Sequence, residues 1–271
     1  MTDINSAFTG NIPENYDRYL GPMFFHCCAE DLAARVAAQP AQRVLEIAAG
    51  TGIATRVMRT HLPVQTHITA TDLNGDMLRH AELKFSPQDN IDFQVADAMQ
   101  LPFEDAQFDV VVCQFGFMFC PDKIQAFREA RRVLAPGGRL LFSVWDALAH
   151  NPLPRTTNEI LAAFFDGDAP LFMYAPFSYH DPVLIREDMA SAGFDEVVFT
   201  RLDGECVFAE PRHAALGMVT GSPLRVEIEQ RGDAAIDAVV DRVAAGLGAA
   251  FGERDCRVPM HWTVISASRT D

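Results

Sequence analysis

The chain has 271 residues, 49% of them hydrophobic, and a formal charge of −15 from 37 acidic side chains against 22 Lys and Arg. That length supports one large domain, or a domain with a lid, around a sizeable core. A surface this acidic repels phosphate backbones, so nucleic acid is not an expected partner.

Residues 1–25 lack the charged start and apolar core of a signal peptide, and no apolar run reaches membrane-spanning length. A cytoplasmic protein without a membrane span is therefore expected. Residues 1–15 read as a polar, irregular arm. From Arg18 to Ala38, Phe24, Cys28, Leu32 and Val36 recur every four residues, which predicts an amphipathic helix ended by Pro40. His26, Cys27, Cys28 and Glu30 cannot converge on one ion, because neighbouring helical residues point apart. The six Cys show no zinc-like spacing, so no metal is expected and buried free thiols are.

A strand–helix alternation follows. Arg43–Ala48 is a strand and Ile53–Leu62 a helix. Thr66–Leu73 is a strand, and Asn74 caps a helix with Leu78, Ala81 and Phe85 inside. Ile91–Ala96 is a third strand. Phe108–Phe115 is a fourth, nearly all apolar, as for a strand covered on both faces. Asp122 caps a helix with Ile124, Phe127, Ala130 and Leu134 inside, ended by Ala135-Pro136-Gly137-Gly138. Arg128, Arg131 and Arg132 read as its solvated face. Arg139–Trp145 is the fifth strand.

Five strands separated by helices imply an α/β fold with a parallel, doubly wound sheet. Residues 147–180 lose the alternation and are rich in Pro and Phe. Asp181-Pro182 opens a helix, Val183–Ala192. Asp195–Arg201 reads as strand six, Ala234–Ala250 as a helix and Thr263–Ala267 as a last strand. The whole reads as a single domain, 1–271: an arm and helix at 1–39, a cofactor-binding core at 40–146, and insertions at 147–180 and 209–258. The insertions are read as lid material over the sheet's C-terminal edge, or as packing over its edges.

The stretch VLEIAAGTGIATR, Val44–Arg56, carries the chemistry. Small residues at 48–52 let the backbone approach a ligand, and the next helix offers unpaired N–H groups. Asp72, ending the second strand, can accept both hydroxyls of a ribose. Asp97 with Ala98, after the third, can read an adenine amino group. Glu46 discriminates. Two phosphates beside Glu46, Asp72 and Asp97 would be electrostatically poor, whereas a sulfonium or ammonium is favoured. Thr55 also stands where a dinucleotide fingerprint needs its last small residue. A nicotinamide-dependent oxidoreductase and a non-catalytic adenosine-ligand binding protein are the alternatives.

VLEIAAGTG (44–52), ATDLNGDML (70–78), VADAMQLPFEDAQFDVVVCQFGFMF (95–119) and RVLAPGGRLLFSVW (132–145) occur in the order and spacing of a known family. In these motifs the chain resembles class I S-adenosylmethionine-dependent methyltransferases of the type-11 kind, related to the ubiquinone and menaquinone biosynthesis methyltransferases. The resemblance implies a Rossmann-like sheet of seven strands, the last antiparallel and inserted between strands five and six. It also implies S-adenosylmethionine as cofactor and S-adenosylhomocysteine as product. Glu46, Ala48, Gly50 and Gly52 would line the methionine end. Asp72 would hold the ribose, Leu73 and Met77 would pack on the adenosine, and Asp97 and Ala98 would read the adenine. Gln114 and Phe115 would close the cleft beneath the sulfonium. Tyr16, Arg18 and Tyr19 resemble a segment that folds over the cofactor. Arg18 would pair with its carboxylate or form a surface salt bridge. Ala48 stands where the commoner pattern has Gly. With φ below zero Ala costs nothing there, so it reads as a variant.

Methyl transfer from a sulfonium needs collinear positioning and exclusion of water, with a base only where the acceptor must lose a proton. His150 is the candidate base, with His180 second. Phe115, Phe117, Phe119, Phe164, Phe165, Phe172, Tyr174 and Phe177 are read as an apolar acceptor pocket or as core. The pocket reading makes the acceptor a small, flat or lipophilic molecule. A homodimer is compatible with all of this.

Overall fold

The computed structural model describes residues 10–232 and 235–270. In chain order, α1 (Ile12–Asn15) runs through a π-helical stretch (Tyr16–Phe25) into α2 (His26–Ala37). Part of the expected loose arm is thus helical, and residues 1–9 lie outside the described ones. Pro13 falls in the first turn, where a missing N–H is harmless. Pro22 lies inside the π-helical stretch, and the His26 N–H closes it onto the Gly21 carbonyl.

Next come β1 (Arg43–Ile47), α3 (Ile53–His61), β2 (His67–Asp72), α4 (Gly75–Glu82), β3 (Ile91–Val95), β4 (Phe108–Gln114), α5 (Lys123–Val133) and β5 (Leu134–Trp145). The remainder is α6 (Pro152–Phe164), α7 (Pro182–Ser191), β6 (Val197–Phe208), α8 (Pro211–Thr220), α9 (Leu224–Arg231), α10 (Ile236–Phe251) and β7 (Cys256–Ser268). The expected caps form. Asn74 accepts from Asp76 and Met77 N–H, Asp122 from Gln125 N–H, and Asp181 from Val183 N–H.

Several expected boundaries move. β6 and β7 are longer than the predicted 195–201 and 263–267. Ala234, the predicted start of the last long helix, lies outside the described residues, and α10 begins at Ile236. The Pro-Gly-Gly stop falls inside β5, where the β4–β5 register shifts between Phe108 and Val110. No helix among the described residues is long and apolar enough to cross a membrane.

The chain divides into two units, with β6 and β7 contributing to both. The first comprises Cys28–Trp145, Tyr179–Leu202 and Trp262–Asp271. The strand order is β3-β2-β1-β4-β5-β7-β6. β1 to β5 pair in parallel, and β7 runs antiparallel beside β5. The last strand is therefore inserted next to strand five, as the resemblance implied. The middle strands are core: Val44, Leu45, Val111 and Val112 are wholly buried. Burying each such side chain is worth roughly 1.5–3 kcal/mol.

The arginines of α5 are not simply solvated. Arg132 donates to Glu129, Asp105 and the carbonyls of Leu101 and Phe103. Arg128 and Arg131 donate to the carbonyls of Ser191 and Gly193. They tie the β3–β4 connection and the end of α7 onto α5, a use that a helical charge stripe does not reveal. Phe117 takes the second of its two readings. It is fully buried against Phe127 and Phe142, in core rather than pocket. Cys27 is exposed, against the expected burial.

The second unit comprises Met1–Cys27, Asp146–Ser178 and Asp203–His261. It is mainly helical. α10 packs against α6 and α8, and the π-helical stretch against α8. Val239, Val240, Val243 and Leu247 form the buried stripe of α10.

Candidate active site

β1 delivers Glu46 to the C-terminal edge of the sheet, and the chain then turns through 48–52 into α3. The turn is held by Ala49 N–H to Thr71 O at 2.8 Å and Gly52 N–H to Ala49 O at 2.9 Å. Lys84 Nζ donates to the Thr51 carbonyl at 2.8 Å. Three residues take positive φ: Ala48 at 56°, Gly50 at 57° and Gly52 at 78°. A Cβ on Gly52 would also stand 3.0 Å from Ala81 Cβ, so glycine is needed there for space as well as conformation.

Ala48 departs from expectation. Its φ is left-handed, so the alanine carries a cost of about 1 kcal/mol that glycine would not. The methyl is accommodated by Gly116. A Cβ on Gly116 would overlap the Ala48 methyl and stand 2.6 Å from Cys113 Sγ. Gly116 has a negative φ of −104°, so space rather than conformation requires it. Gly116→Ala is therefore expected to destabilise by about 1–3 kcal/mol. The loss should shrink when Ala48→Gly is also present, because one of the two overlaps is then gone. Urea melts of the four-member cycle check this, and equal penalties in both backgrounds would refute the pairing.

Asp72 ends β2 in a half-buried position. Its Oδ2 accepts from Gly50 N–H and its Oδ1 from Asn74 N–H, both at 2.8 Å. The Leu73 N–H pulls on the same carboxylate, which retains acceptor capacity beyond these groups. Burial pushes its pKa up, against the pull of those N–H groups. Glu46 is 1% exposed, and burial raises its pKa to about 7. Thr55 Oγ1, in the first turn of α3, donates to Glu46 Oε2 at 2.6 Å and opposes the rise, while the Asp72 charge adds to it. Thr55 is a site residue that sequence reasoning missed. Its signal was available, since a buried carboxylate requires a nearby donor.

Asp97 Oδ1 accepts from Met99 N–H at 2.8 Å, closing the turn in which Asp97 and Ala98 lie half-buried. Leu73 is 44% exposed, an apolar side chain left at the rim, whereas Met77 is buried. Phe115 follows Gln114 with a φ of 55°, strained for so large a side chain, and stacks on Trp145 with ring centroids 3.8 Å apart. The first unit thus contains Glu46, Ala48, Gly50, Gly52, Asp72, Leu73, Met77, Asp97, Ala98, Gln114 and Phe115.

Tyr16, Arg18, Tyr19 and His150 belong to the second unit. Tyr16 stacks on Phe25, and the Arg18 guanidinium lies over the Tyr19 ring. Arg18, Tyr19, Met23, Phe208 and His213 line a groove of about 300 Å³. His150 Nδ1 lies 3.2 Å from Asp146 Oδ1. In the same unit Asn151 clamps the chain, accepting from His261 N–H and donating to the carbonyls of Asp146, Ala147 and His261.

The donor set fits S-adenosylmethionine. Glu46 offers a buried and Asp72 a half-buried carboxylate, acceptors suited to hydroxyls and a positive charge, and small residues form the turn after β1. A methyltransferase domain model matches residues 45–142. The ubiquinone/menaquinone biosynthesis C-methyltransferase UbiE of Proteus mirabilis is 32% identical over 182 residues, 61% of this chain and 71% of that protein. Its counterpart in Brucella anthropi is 34% identical over 186 residues, 61% of this chain and 68% of that protein. The phosphoethanolamine N-methyltransferase 2 of Haemonchus contortus, solved with S-adenosylmethionine, superposes with a TM-score of 0.60 at 18% identity. That match covers 96% of this chain and 57% of the other, and it speaks for the fold alone. From motifs, topology and these relatives together, this chain belongs to the class I S-adenosylmethionine-dependent methyltransferases of the type-11 family, and its cofactor is S-adenosylmethionine.

Proposed function

We propose that the chain transfers the methyl group to a carbon atom of a small, flat, lipophilic acceptor of the quinone-precursor or aromatic-metabolite class. The observation that carries this reading is the Phe115–Trp145 stack at the ends of β4 and β5, a buried aromatic pair whose faces suit a flat apolar ring. Relatives named as C-methyltransferases of quinone biosynthesis support the choice of carbon.

In this reading Asp72 binds the ribose hydroxyls, Leu73 and Met77 hold the adenosine, and Asp97 and Ala98 select the adenine. Glu46, Ala48, Gly50 and Gly52 line the methionine end, with Glu46 facing positive charge. Gln114 and Phe115 shield the reacting centre from water. S-adenosylmethionine supplies an electrophilic methyl whose C–S bonding pair stays on sulfur as the new carbon–carbon bond forms. The chain's contribution is positioning, which can supply several kcal/mol of the barrier, on the order of 7–11 in the best cases. The proton leaving the acceptor carbon passes to a base or to solvent.

Incubation with methyl-labelled cofactor and a panel of phenols, quinols and amines tests the proposal. Label is expected on a ring carbon of an oxygenated aromatic acceptor. Label confined to an amine nitrogen, such as that of phosphoethanolamine, would contradict it.

A further inference from the structure

β5 and β7 pair Ser143 with Val264 and Trp145 with Trp262. Side chains alternate along a strand, so Ser143, Trp145 and Trp262 project from one face, with Ser143 and Trp262 as diagonal neighbours. Gln114 of β4 pairs with Ser143 and extends this face towards the turn. Ser143 is 2% and Trp262 4% exposed. Both Ser143 Oγ and Trp262 Nε1 are buried without a hydrogen-bond partner.

An unmet buried donor costs about 1–3 kcal/mol. Two such groups stand on adjacent strands, beside a phenylalanine held at a strained φ of 55° whose ring lies at an interplanar angle of 3° on Trp145. Costs that collect at one place call for a compensating partner. The chemistry of that partner is restricted. An indole N–H only donates, so the group it meets must accept. An ammonium cannot satisfy it, whereas a carbonyl, phenol or enol oxygen can. The surrounding rings favour a flat, apolar body for the molecule that carries that oxygen.

We propose that the Trp262 indole N–H and the Ser143 hydroxyl form the subsite for an oxygen atom of the acceptor, reached when the Phe115–Trp145 pair parts. This rests on the reading of the acceptor as a flat ring and narrows it to rings bearing an oxygen. The subsite fixes which ring edge is presented and disfavours an ammonium, which leaves the indole N–H unmet.

The chain has two Trp, so its indole N–H spectrum holds two resonances, and Trp262→Phe identifies one of them. With S-adenosylhomocysteine present, 1-naphthol is expected to move the Trp262 resonance downfield, and naphthalene is not. Ser143→Ala, which removes the unmet hydroxyl without a large cavity, should leave the melting temperature unchanged or higher. It should also raise KM for the oxygenated acceptor roughly 5- to 10-fold, the worth of one hydrogen bond. Affinity for S-adenosylhomocysteine should stay unchanged. A resonance already hydrogen-bonded in the free protein and indifferent to naphthol would mean an internal water and overturn the proposal. No shift with naphthol at its solubility limit, or an unchanged KM in Ser143→Ala, would overturn it too. If the ring-acceptor reading alone fails, label transfer goes to amines while the indole response to naphthol persists.

Discussion

Asp72→Ala is expected to weaken S-adenosylmethionine binding by about 1.5–3 kcal/mol, the range for hydrogen bonds to a charged group, or roughly 10- to 150-fold. The carboxylate does two jobs. It joins the turn to β2 through Gly50 N–H and to α4 through Asn74 N–H, and it offers its remaining lone pairs to a diol. Alanine removes both. Asp72→Asn separates them in part, since one oxygen stays to accept while the amide opposes the other N–H group. Asp92→Ala on β3 is the control. Its side chain is 76% exposed, and no change in affinity is expected. Calorimetry on the three variants decides. A folded Asp72→Ala protein with wild-type affinity would remove Asp72 from the site.

Glu46→Gln is expected to flatten the pH dependence of stability and of cofactor affinity. The folded carboxyl titrates at about 7, above its ordinary value of 4.5, because burial outweighs the Thr55 hydrogen bond. The unfolded chain therefore releases this proton near pH 4.5, while the folded chain keeps it to about pH 7. Stability present below pH 4.5 is lost as pH rises through 7, by about 3 kcal/mol. Glutamine has no proton to lose, so urea melts at pH 5 and pH 8 should differ less in the variant. Above pH 7 the variant should be the more stable, by about 1–2 kcal/mol after the amide's own unmet donors are counted. Equal slopes in both proteins would contradict this. A positive charge placed beside Glu46 draws its proton off. Binding of S-adenosylmethionine should therefore release protons between about pH 5 and 8 in the wild type and fewer in Glu46→Gln.

The strands that build the site were legible because each is a short apolar run closed by a turn. β1, β2, β3 and β4 fall within a residue or so of their predicted ends. What failed was read from local chemistry that tertiary context reverses. Pro152 and Pro154 look like breakers, yet Pro152 opens α6, where a proline's fixed φ is an advantage. β6 passes through Asp203, Gly204 and Glu205, so its apolar pattern breaks in mid-strand before Cys206 and Phe208 resume it. Ala48 was expected at negative φ. Its methyl is tolerated because of Gly116, nearly 70 positions away, which no local pattern reveals.

The chemical residues divide in the same way. Glu46 and Asp72 stood out as carboxylates at strand ends, where the fold brings them together with the Gly50 backbone. Ser143 and Trp262 did not, because their relation depends on the antiparallel register of two strands far apart in sequence. A serine and a tryptophan in apolar strands read as packing until the hydrogen bonds are counted.

The central claim is that the turn from Glu46 to Gly52, closed by Asp72, seats a cationic adenosine ligand rather than a dinucleotide. Calorimetry on the intact chain with S-adenosylmethionine and, separately, NADH tests this most directly. Saturable binding of S-adenosylmethionine that Asp72→Ala weakens, with no heat from NADH, is the predicted result. Binding of NADH without binding of S-adenosylmethionine would contradict it.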